Sequence, residues 1–393
     1  MNNNKRNILE NLRKEINNLD EQLIKLLSER RKLSEKIVEL KAIDNIPLRD
    51  ETRETELLKR IVRIAETNGL EVNFVKRIFY EILDDSIRVQ QSYLQKLANQ
   101  NEMERGKIRV AIQGVEGSYS FLAAKKFFAH SNAGLELVSY ERFEDAAHAV
   151  ESGKADYALL PIENTTSGGI NEVFDLLLHT SLSIVGEEKF EIRHCLVAPE
   201  KIELDSIKKI YAHYQAAAQC SRFIAGLKNV AIEYFADTAM SVQKIKEENN
   251  PEYTAIASEE AAQLYGVTIL MNNIANQTEN YTRFVVCARK PVKVDPRIPC
   301  KTSLVMATAH IAGSLVDALN VFRKYDLNLT KLESRPVLGN PWEEMFYVDF
   351  EGNVDDDNVV QALNELNPFT RFVKVLGSYP SRDIERTKVK REK

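Results

Sequence analysis

The sequence predicts a multidomain chain with an all-α region, an α/β region and an α+β region in series. Three observations carry that expectation. From residue 6 to residue 97 the pattern is helical, with Pro47 and Gly69 as its breakers. From Ile108 to Lys290 short β-branched runs alternate with helical stretches, the mark of α/β layers. From Thr302 to Tyr379 the order is strand, helix, strand, strand, helix, strand, ferredoxin-like in pattern and silent about role. Polar residues 98–107 and proline-bearing residues 291–300 read as linkers between domains at 1–97, 108–290 and 301–380. Residues 381–393 form a densely charged tail. A length of 393 residues agrees, being too great for one compact core.

Bulk properties narrow the function class before any motif does. The chain is 44% hydrophobic and 28% charged, an ordinary globular composition. Its formal charge of −5 gives no reason to expect nucleic acid, and no apolar run has the length of a membrane span. The polar start MNNNKRNILENLRKE lacks the apolar stretch of a signal peptide. Cys195, Cys220, Cys287 and Cys300 are scattered, with no C-x-x-C pair and no neighbouring His cluster. They read as reduced thiols, and neither a metal nor a cofactor is expected. The expectation is a cytoplasmic protein with neither nucleic-acid nor membrane partners.

In the helical region the first helix carries an apolar stripe at alternating spacings of four and three. It runs Leu12, Ile16, Leu19, Leu23, Leu26, Leu33, Ile37 and Leu40, with Arg30 standing inside it. The second helix extends Leu57, Ile61 and Ile64 backwards to Glu54 and Asp50. The third runs Val75, Phe79 and Ile82 onward to Ser86 and Gln90, then Tyr93 and Leu97. One such polar residue alone would read as a snorkelling or partly exposed side chain. All three helices sharing the pattern is different, because a buried charge without a partner is strongly destabilising. Arg13, Arg30 and Lys41 suit a ligand with two carboxylates, since a guanidinium fork matches a carboxylate bidentately. Asp50, Glu54, Ser86 and Gln90 offer groups for a hydroxyl or ether oxygen, and Arg53 reads either as pocket lining or as surface charge. A first helix of about 35 residues would be roughly 50 Å long. Two short helices cannot cover it, so a homodimer with the long helices packed along each other is expected.

The stretches LRKEINNLDEQLIKLLSERRKLSEKI, PLRDETRE and DDSIRVQQ resemble the AroQ-type all-helical chorismate mutases. The resemblance implies a three-helix fold in a helix-exchanged dimer. It also implies an active site lined by Arg13 of the opposite subunit with Arg30, Lys41, Asp50, Arg53, Glu54, Ser86 and Gln90. The implied reaction is the cofactor-free rearrangement of chorismate to prephenate, helped by a compact conformer and charge complementarity. Lys41 and Gln90 would bond the breaking ether oxygen, Arg13 and Arg30 would clamp the carboxylates, and Glu54 would hold the ring hydroxyl.

The middle region offers three strand–helix or strand-start junctions rich in hydroxyls and amides. IRVAIQG runs into GVEGSYS and a helix, a glycine turn of the kind that receives anions but without a dinucleotide or P-loop fingerprint. DYALLPIENTTSGGINEVFDLL and NYTRFVV supply the other two. Together they read as a cleft between two α/β lobes for a small anion. No Ser-His-Asp order or metal set stands out. GVEGSYSFLAA, DYALLPIENTTSGGINEVFDLLLHTSLSIVGE, HCL, QCSRF and NYTRFVV resemble prephenate dehydratases. That family implies two lobes like those of type II periplasmic binding proteins and a cleft containing Ser118, Asn164, Thr165, Ser167, Gln219, Thr282 and Arg283. Thr282 is implied to assist departure of the ring hydroxyl as carbon dioxide leaves, yielding phenylpyruvate. Arg283 either holds a carboxylate or is structural. The sequence departs from the family at Phe121, where histidine is general. It departs again at Ala212, Tyr214 and Ala216, where a Ser/Thr-His-Pro-Gln-Pro-like run is common, so the usual hydroxyl at 212 is missing.

In the third region AGSLVDAL and TKLESRPVLGNPWEEMFYVDF resemble the ACT domain of prephenate dehydratases. The resemblance implies phenylalanine bound at a subunit interface as inhibitor, with Gly313, Leu315, Val316, Glu333, Ser334 and Arg335 at matching positions. Gly313 suits a close backbone approach, while Leu315 and Val316 read equally as plain core. The combined expectation is a bifunctional enzyme of phenylalanine synthesis acting on chorismate and prephenate. A different class also fits the outline: a small-anion or amino-acid sensor of two lobes whose helical arm only dimerises it. Against that stands the polar set on the seam, where bare dimerisation would prefer apolar residues.

Overall fold

The computed structural model describes residues 3–44, 46–99, 106–129, 131, 133–309, 311–336 and 344–382. The chain divides into two compact units, the helical region with Asp295–Ile298 and a larger unit reaching to Arg382. Most of the loop in TKLESRPVLGNPWEEMFYVDF, residues 337–343, and the tail from 383 lie outside the described residues.

The helical unit holds α1 (Asn3–Asp44), α2 (Glu51–Thr67) and α3 (Val72–Ala98). At 42 residues α1 exceeds the expected length. Pro47 lies in the connection to α2, and Gly69, at φ 67°, makes the turn into α3 that a side chain would strain. Asp50 caps α2 by accepting from Arg53 N, and Glu71 caps α3 by accepting from Asn73 N and Phe74 N. Helices α2 and α3 share a small core of Ile61, Ala65 and Val75. The stripe on α1 remains open: Leu12, Ile16, Leu19, Leu23, Leu26, Leu33, Ile37 and Leu40 are 47–64% exposed.

The larger unit begins with a lobe of β1 (Lys107–Gln113), α4 (Tyr119–Phe128), β2 (Gly134–Tyr140), α5 (Phe143–Glu151), β3 (Tyr157–Asn164), the two-residue β4 (Gly168–Gly169), α6 (Asn171–His179) and β5 (Ser183–Glu191). The chain then crosses to a second lobe of β6 (Cys195–Ala198), β7 (Lys209–His213), α7 (Tyr214–Gln219), α8 (Ser221–Ala225), β8 (Ala231–Phe235), α9 (Thr238–Glu248), β9 (Tyr253–Ala257), α10 (Glu259–Tyr265) and β10 (Thr268–Met271). It returns as β11 (Tyr281–Ala288), which enters the first lobe's sheet between β3 and β5 and runs antiparallel to both. The strand orders are β2-β1-β3-β11-β5 and β10-β6-β9-β7-β8. Two α/β lobes joined by two crossings are what the middle region led one to expect.

The third region forms β12 (Cys300–Thr308), α11 (Ser314–Lys324), β13 (Leu329–Pro336), β14 (Glu344–Glu351), α12 (Asp357–Leu366) and β15 (Thr370–Pro380), in the anticipated βαββαβ order. Its antiparallel sheet runs β13-β14-β12-β15. One face packs on the two helices through Leu304, Met306, Phe322, Phe350 and Leu366. The other face, with Val305, Ala307, Tyr347 and Tyr379, joins one core with Leu160, Phe174, Val285 and Cys287 of the first lobe. Residues 108–290 and 301–380 therefore share a core, where the linker reading expected separate bodies. The physical reason is that β12 is buried on both faces, so a second layer must cover the face its own helices leave open.

Strand β15 meets β5 backbone to backbone at Gly377, where an added Cβ would lie 2.1 Å from the Ile184 carbonyl oxygen. Main-chain atoms cannot step aside as a side-chain tip can. Gly377→Ala is expected to destabilise the larger unit by about 3 kcal/mol, at the upper end of ordinary overpacking costs. Urea unfolding followed by circular dichroism measures it, and an unchanged midpoint would refute the close approach.

Candidate functional site

In the helical unit the polar seam residues converge at two places. Arg30 of α1 reaches α3, where Nη1 donates to Ser86 Oγ and, at 3.3 Å, to the Ile82 carbonyl. Beside it Arg31 pairs with Asp85 at 3.1 Å. Gln90, one turn beyond Ser86, is buried, and its Oε1 has no hydrogen-bond partner among the described residues. At the C-terminal end of α1, Lys41 Nζ donates to the Leu48 carbonyl. Burial lowers the pKa of Arg30, opposed by Asp85, and that of Lys41, opposed by Asp50 and Glu54. Glu54 is held by Arg49 through two bonds of 3.1 and 2.8 Å. Arg49 lies within PLRDETRE but off the helical stripe, and the sequence reading missed it. Arg53 resolves toward surface charge: its side chain is 63% exposed and 3.7 Å from Glu56. Asp50 is engaged as a helix cap, and Arg13 lies exposed on α1, away from the Arg30–Ser86 contact by more than four helical turns.

In the larger unit the cleft residues meet around one amide. Asn164, buried at the end of β3, accepts at Oδ1 from Thr166 N, Ser167 N, both their hydroxyls and Gln219 Nε2, over 2.6–3.2 Å. Its Nδ2 donates to Asn280 Oδ1 at 2.7 Å, Thr282 Oγ1 at 3.0 Å and the Tyr281 carbonyl at 3.1 Å. Thr282 is therefore an acceptor from Asn164, and its own hydroxyl proton has no acceptor among the described residues. Thr165 Oγ1 accepts from Tyr281 N, pinning the loop to the start of β11. Gln219, from the second lobe, also donates to Thr166 Oγ1 at 2.7 Å and accepts from Asn280 Nδ2 at 2.9 Å. Next to this group lies a pocket of about 370 Å³ walled by Thr166, Ser167, Tyr214, Gln215, Gln219, Asn276 and Asn280. Asn164 and Thr282 are not among its walls, but Asn164 is bonded to Asn280 and Gln219, which are, and Thr282 to Asn164.

Ser118 takes a different part. It caps α4 by accepting from Phe121 N at 3.3 Å and is 3% exposed. The glycine turn before it does receive an anion, but the anion is the chain's own Asp237, whose Oδ2 accepts from Val115 N at 3.1 Å. Tyr265 donates to the Glu116 carbonyl at 2.6 Å, so the second lobe holds this loop twice. Of the departures from family pattern, Phe121 packs beside an apolar cluster of the first lobe, Ala212 and Ala216 are buried, and Tyr214 is exposed on the pocket rim.

Arg283 does not join the cleft. Its guanidinium lies among three carboxylates: Glu163 at 2.5 Å, Asp349 at 2.7 Å and Glu187 at 3.2 Å. Lys301 pairs with Glu187 at 2.9 Å, and Lys331 pairs with Glu163 at 2.5 Å. Burial disfavours the charged guanidinium, yet Asp349, Tyr379, Glu163 and Glu187 outweigh it and raise its pKa. Burial likewise pushes Glu163 up, but Arg283 and Lys331 win and hold it below the usual carboxylate range. The structural alternative for Arg283 is thus favoured. Successive strand residues face opposite sides, so a cleft-facing Thr282 puts Arg283 on the other.

The third region has a pocket of about 450 Å³ at the start of α11, lined by Gly313, Leu315 and Val316 with Ile311, Phe346, Glu344 and Arg371. Gly313, at φ 89°, makes the left-handed entry to α11. Glu333 and Arg335 do not line it, since Glu333 pairs with Lys331 at 3.3 Å and Arg335 with Asp175 at 3.0 Å. Ser334 is exposed on the opposite side of the same strand.

Comparison with known proteins gives two family matches. A prephenate dehydratase model matches residues 110–292, and a chorismate mutase type II model matches residues 12–91. A bifunctional chorismate mutase/prephenate dehydratase from Enterobacter agglomerans is 43% identical over 373 residues, covering 95% of this chain and 96% of that one. Among solved structures, a prephenate dehydratase from Arthrobacter aurescens in complex with L-Phe is 28% identical with a TM-score of 0.63, covering 70% and 90% of the two chains. GqqA, described as a novel type of quorum quenching acylase, is 31% identical with a TM-score of 0.61, covering 70% and 98%.

Removing Arg283 leaves three carboxylates short of a cation in a buried place. Arg283→Leu is expected to lower unfolding free energy by about 3–5 kcal/mol. Urea denaturation of the full chain reads this directly, and a loss below the scatter of the measurement would show that the carboxylates do not depend on it.

Proposed function

The chain belongs to the bifunctional chorismate mutase/prephenate dehydratase family and carries both activities, and on that premise we propose which residues perform each and how phenylalanine acts. For the mutase, the carrying observation is Arg30 reaching from α1 to Ser86 on α3 beside the partnerless oxygen of Gln90. Chorismate has two carboxylates, an ether and a hydroxyl. Arg30 takes one carboxylate, Lys41 Nζ and Gln90 Nε2 donate to the ether oxygen as its bond breaks, and Glu54 accepts from the hydroxyl. Preorganised charge opposite the developing oxyanion lowers the barrier without nucleophile or cofactor. Arg13, too far along α1 to reach this group in its own chain, serves the site of a second copy. The open apolar stripe on α1 supports that dimer, because eight large apolar residues half exposed in water call for a partner helix.

For the dehydratase, the carrying observation is the bond from Asn164 Nδ2 to Thr282 Oγ1, which leaves the threonine proton for the substrate. The carboxylate on the quaternary ring carbon leaves as carbon dioxide and its bonding pair enters the ring. The ring hydroxyl departs with its own pair, and one proton from solvent completes water, so the prephenate dianion becomes the phenylpyruvate monoanion. Thr282 hydrogen-bonds the departing oxygen. A threonine is a weak acid, and aromatisation supplies the drive that acid strength does not. Asn280, Gln219, Ser167 and Thr166 bind the substrate's polar groups in the adjoining pocket.

The βαββαβ sheet acts as an ACT-type regulatory domain. The pocket of Gly313, Leu315 and Val316 suits phenylalanine: Ile311 and Phe346 meet a ring, while Glu344 and Arg371 match an ammonium and a carboxylate. The L-Phe complex of the Arthrobacter aurescens relative supports this ligand. Inhibition follows if phenylalanine favours one arrangement of the assembly over another.

Separable losses test the two sites. Lys41→Ala and Thr282→Val are each expected to lower their own kcat about 100-fold or more while leaving the other activity within about twofold. Near-normal turnover in either variant removes that residue from its role. Phenylalanine added to the purified chain is expected to slow phenylpyruvate formation from prephenate; binding with an unchanged rate counts against the regulatory reading.

A further inference from the structure

One buried histidine touches the dehydratase network without a part in the chemistry above. His194 is 2% exposed and stands just before β6, at the first crossing between the lobes. Its nitrogens have unlike neighbours: Nε2 lies 2.8 Å from Gln219 Oε1, and Nδ1 lies 3.1 Å from the Tyr119 hydroxyl.

The sense of these bonds follows from the far end of the network. Asn164 Oδ1 accepts from two backbone N–H groups, those of Thr166 and Ser167, and a backbone amide cannot reverse. Asn164 must therefore present Nδ2 to Thr282 and Asn280. Gln219 must present Nε2 to Asn164 Oδ1, which turns its Oε1 toward Asn280 Nδ2 and His194. An oxygen 2.8 Å from His194 Nε2 requires a hydrogen on that nitrogen. The neutral ring then has a bare Nδ1, which shares the Tyr119 hydroxyl proton with the Arg193 carbonyl 2.8 Å away. Burial keeps the ring neutral, lowering its pKa to about 4.

We propose that His194 is a positioning residue for the dehydratase: its Nε2 proton fixes the amide of Gln219, and through Gln219 and Asn164 it holds the Thr282 hydroxyl in place. Were Gln219 to turn over, its oxygen would oppose Asn164 Oδ1 and its amino group would oppose Asn280 Nδ2. Asn164, held by two backbone N–H groups, would keep Nδ2 toward Thr282, but the opposed oxygens would push the Asn164–Thr282 pair out of place. A plain spacer is the competing description, supported by the edge-on contact of His194 with Tyr119 at 5.6 Å. A spacer is indifferent to which nitrogen carries the hydrogen.

The inference rests on the proposed role of Thr282, and the experiment separates the two. In the full chain, His194→Gln carries an amide N–H to about the place of Nε2, whereas His194→Asn carries one no further than Nδ1. The Gln variant is expected to keep dehydratase kcat within about fivefold, and the Asn variant to lose about 50-fold in kcat with the KM for prephenate within about threefold. Both keep mutase turnover. Equal kcat in the two variants, high or low, overturns the proposal. Thermal unfolding checks that both fold. Should either fail, long-range ¹H–¹⁵N correlation of the wild-type imidazoles decides alone. A protonated Nε2 with a bare Nδ1 at His194 is expected, and the opposite tautomer overturns the proposal. Normal turnover in Thr282→Val would instead sink the Thr282 role, whatever the tautomer.

Discussion

The antiparallel pairing of β11 with β3 is the constraint on which the larger unit depends. Register sets Thr282 opposite Asn164 and Arg283 opposite Glu163. Because neighbouring residues on a strand point to opposite faces, one ladder serves two purposes. Its Asn164–Thr282 rung faces the amides of the cleft, and its Glu163–Arg283 rung faces Asp349 and Lys331 of the third sheet. A slip of one residue would send the threonine into the ion cluster and the guanidinium into the cleft. Since β11 is laid down only after the second lobe is complete, this single pairing also closes the chain path between the lobes.

The helical unit obeys a related rule with different means. A helix seam should be apolar, yet Arg30, Ser86 and Gln90 occupy one, and the protein meets part of the cost by pairing Arg30 with Ser86 and the Ile82 carbonyl. Among the described residues it leaves the oxygen of Gln90 unpaired, beside the place proposed for a ligand's polar atoms. As proposed, the mutase site works with an amide and fixed cations and the dehydratase cleft with amides and a hydroxyl, neither with a nucleophile. That suits reactions in which the substrate's own bonds rearrange or fragment.

Much of this was legible in the sequence, because period carries side-chain direction. The helical stripe pointed to Arg30, Ser86 and Gln90 and the hydroxyl-rich junctions to Asn164 and Thr282, whereas Gln219 came only through the resemblance of QCSRF. Arg49 was not legible, since it lies in a connection where no period applies. The bond between Asn164 and Asn280 spans 116 positions, a relation no local pattern carries. Arg283 stood beside Thr282 in a strand, so alternation alone could have settled its side. Glu333 and Arg335 lie in ion pairs away from the Gly313 pocket by the same alternation, because alternate residues of β13 turn toward the first lobe. The shared core under the third sheet escaped notice because a strand apolar on both faces shows no alternation to read.

In the proposed dimer, helix α1 would tie this enzyme's integrity to how much of it there is. The bonds from Arg30 and Arg31 to α3 leave the greasy edge of this 42-residue helix open to water. In that proposed dimer, with a second copy supplying the missing wall, mass action would govern whether that wall is present. Dilution would then act as a denaturant on the mutase half, and any cellular state that thins the pool of chains would weaken the first reaction of the pair before the second.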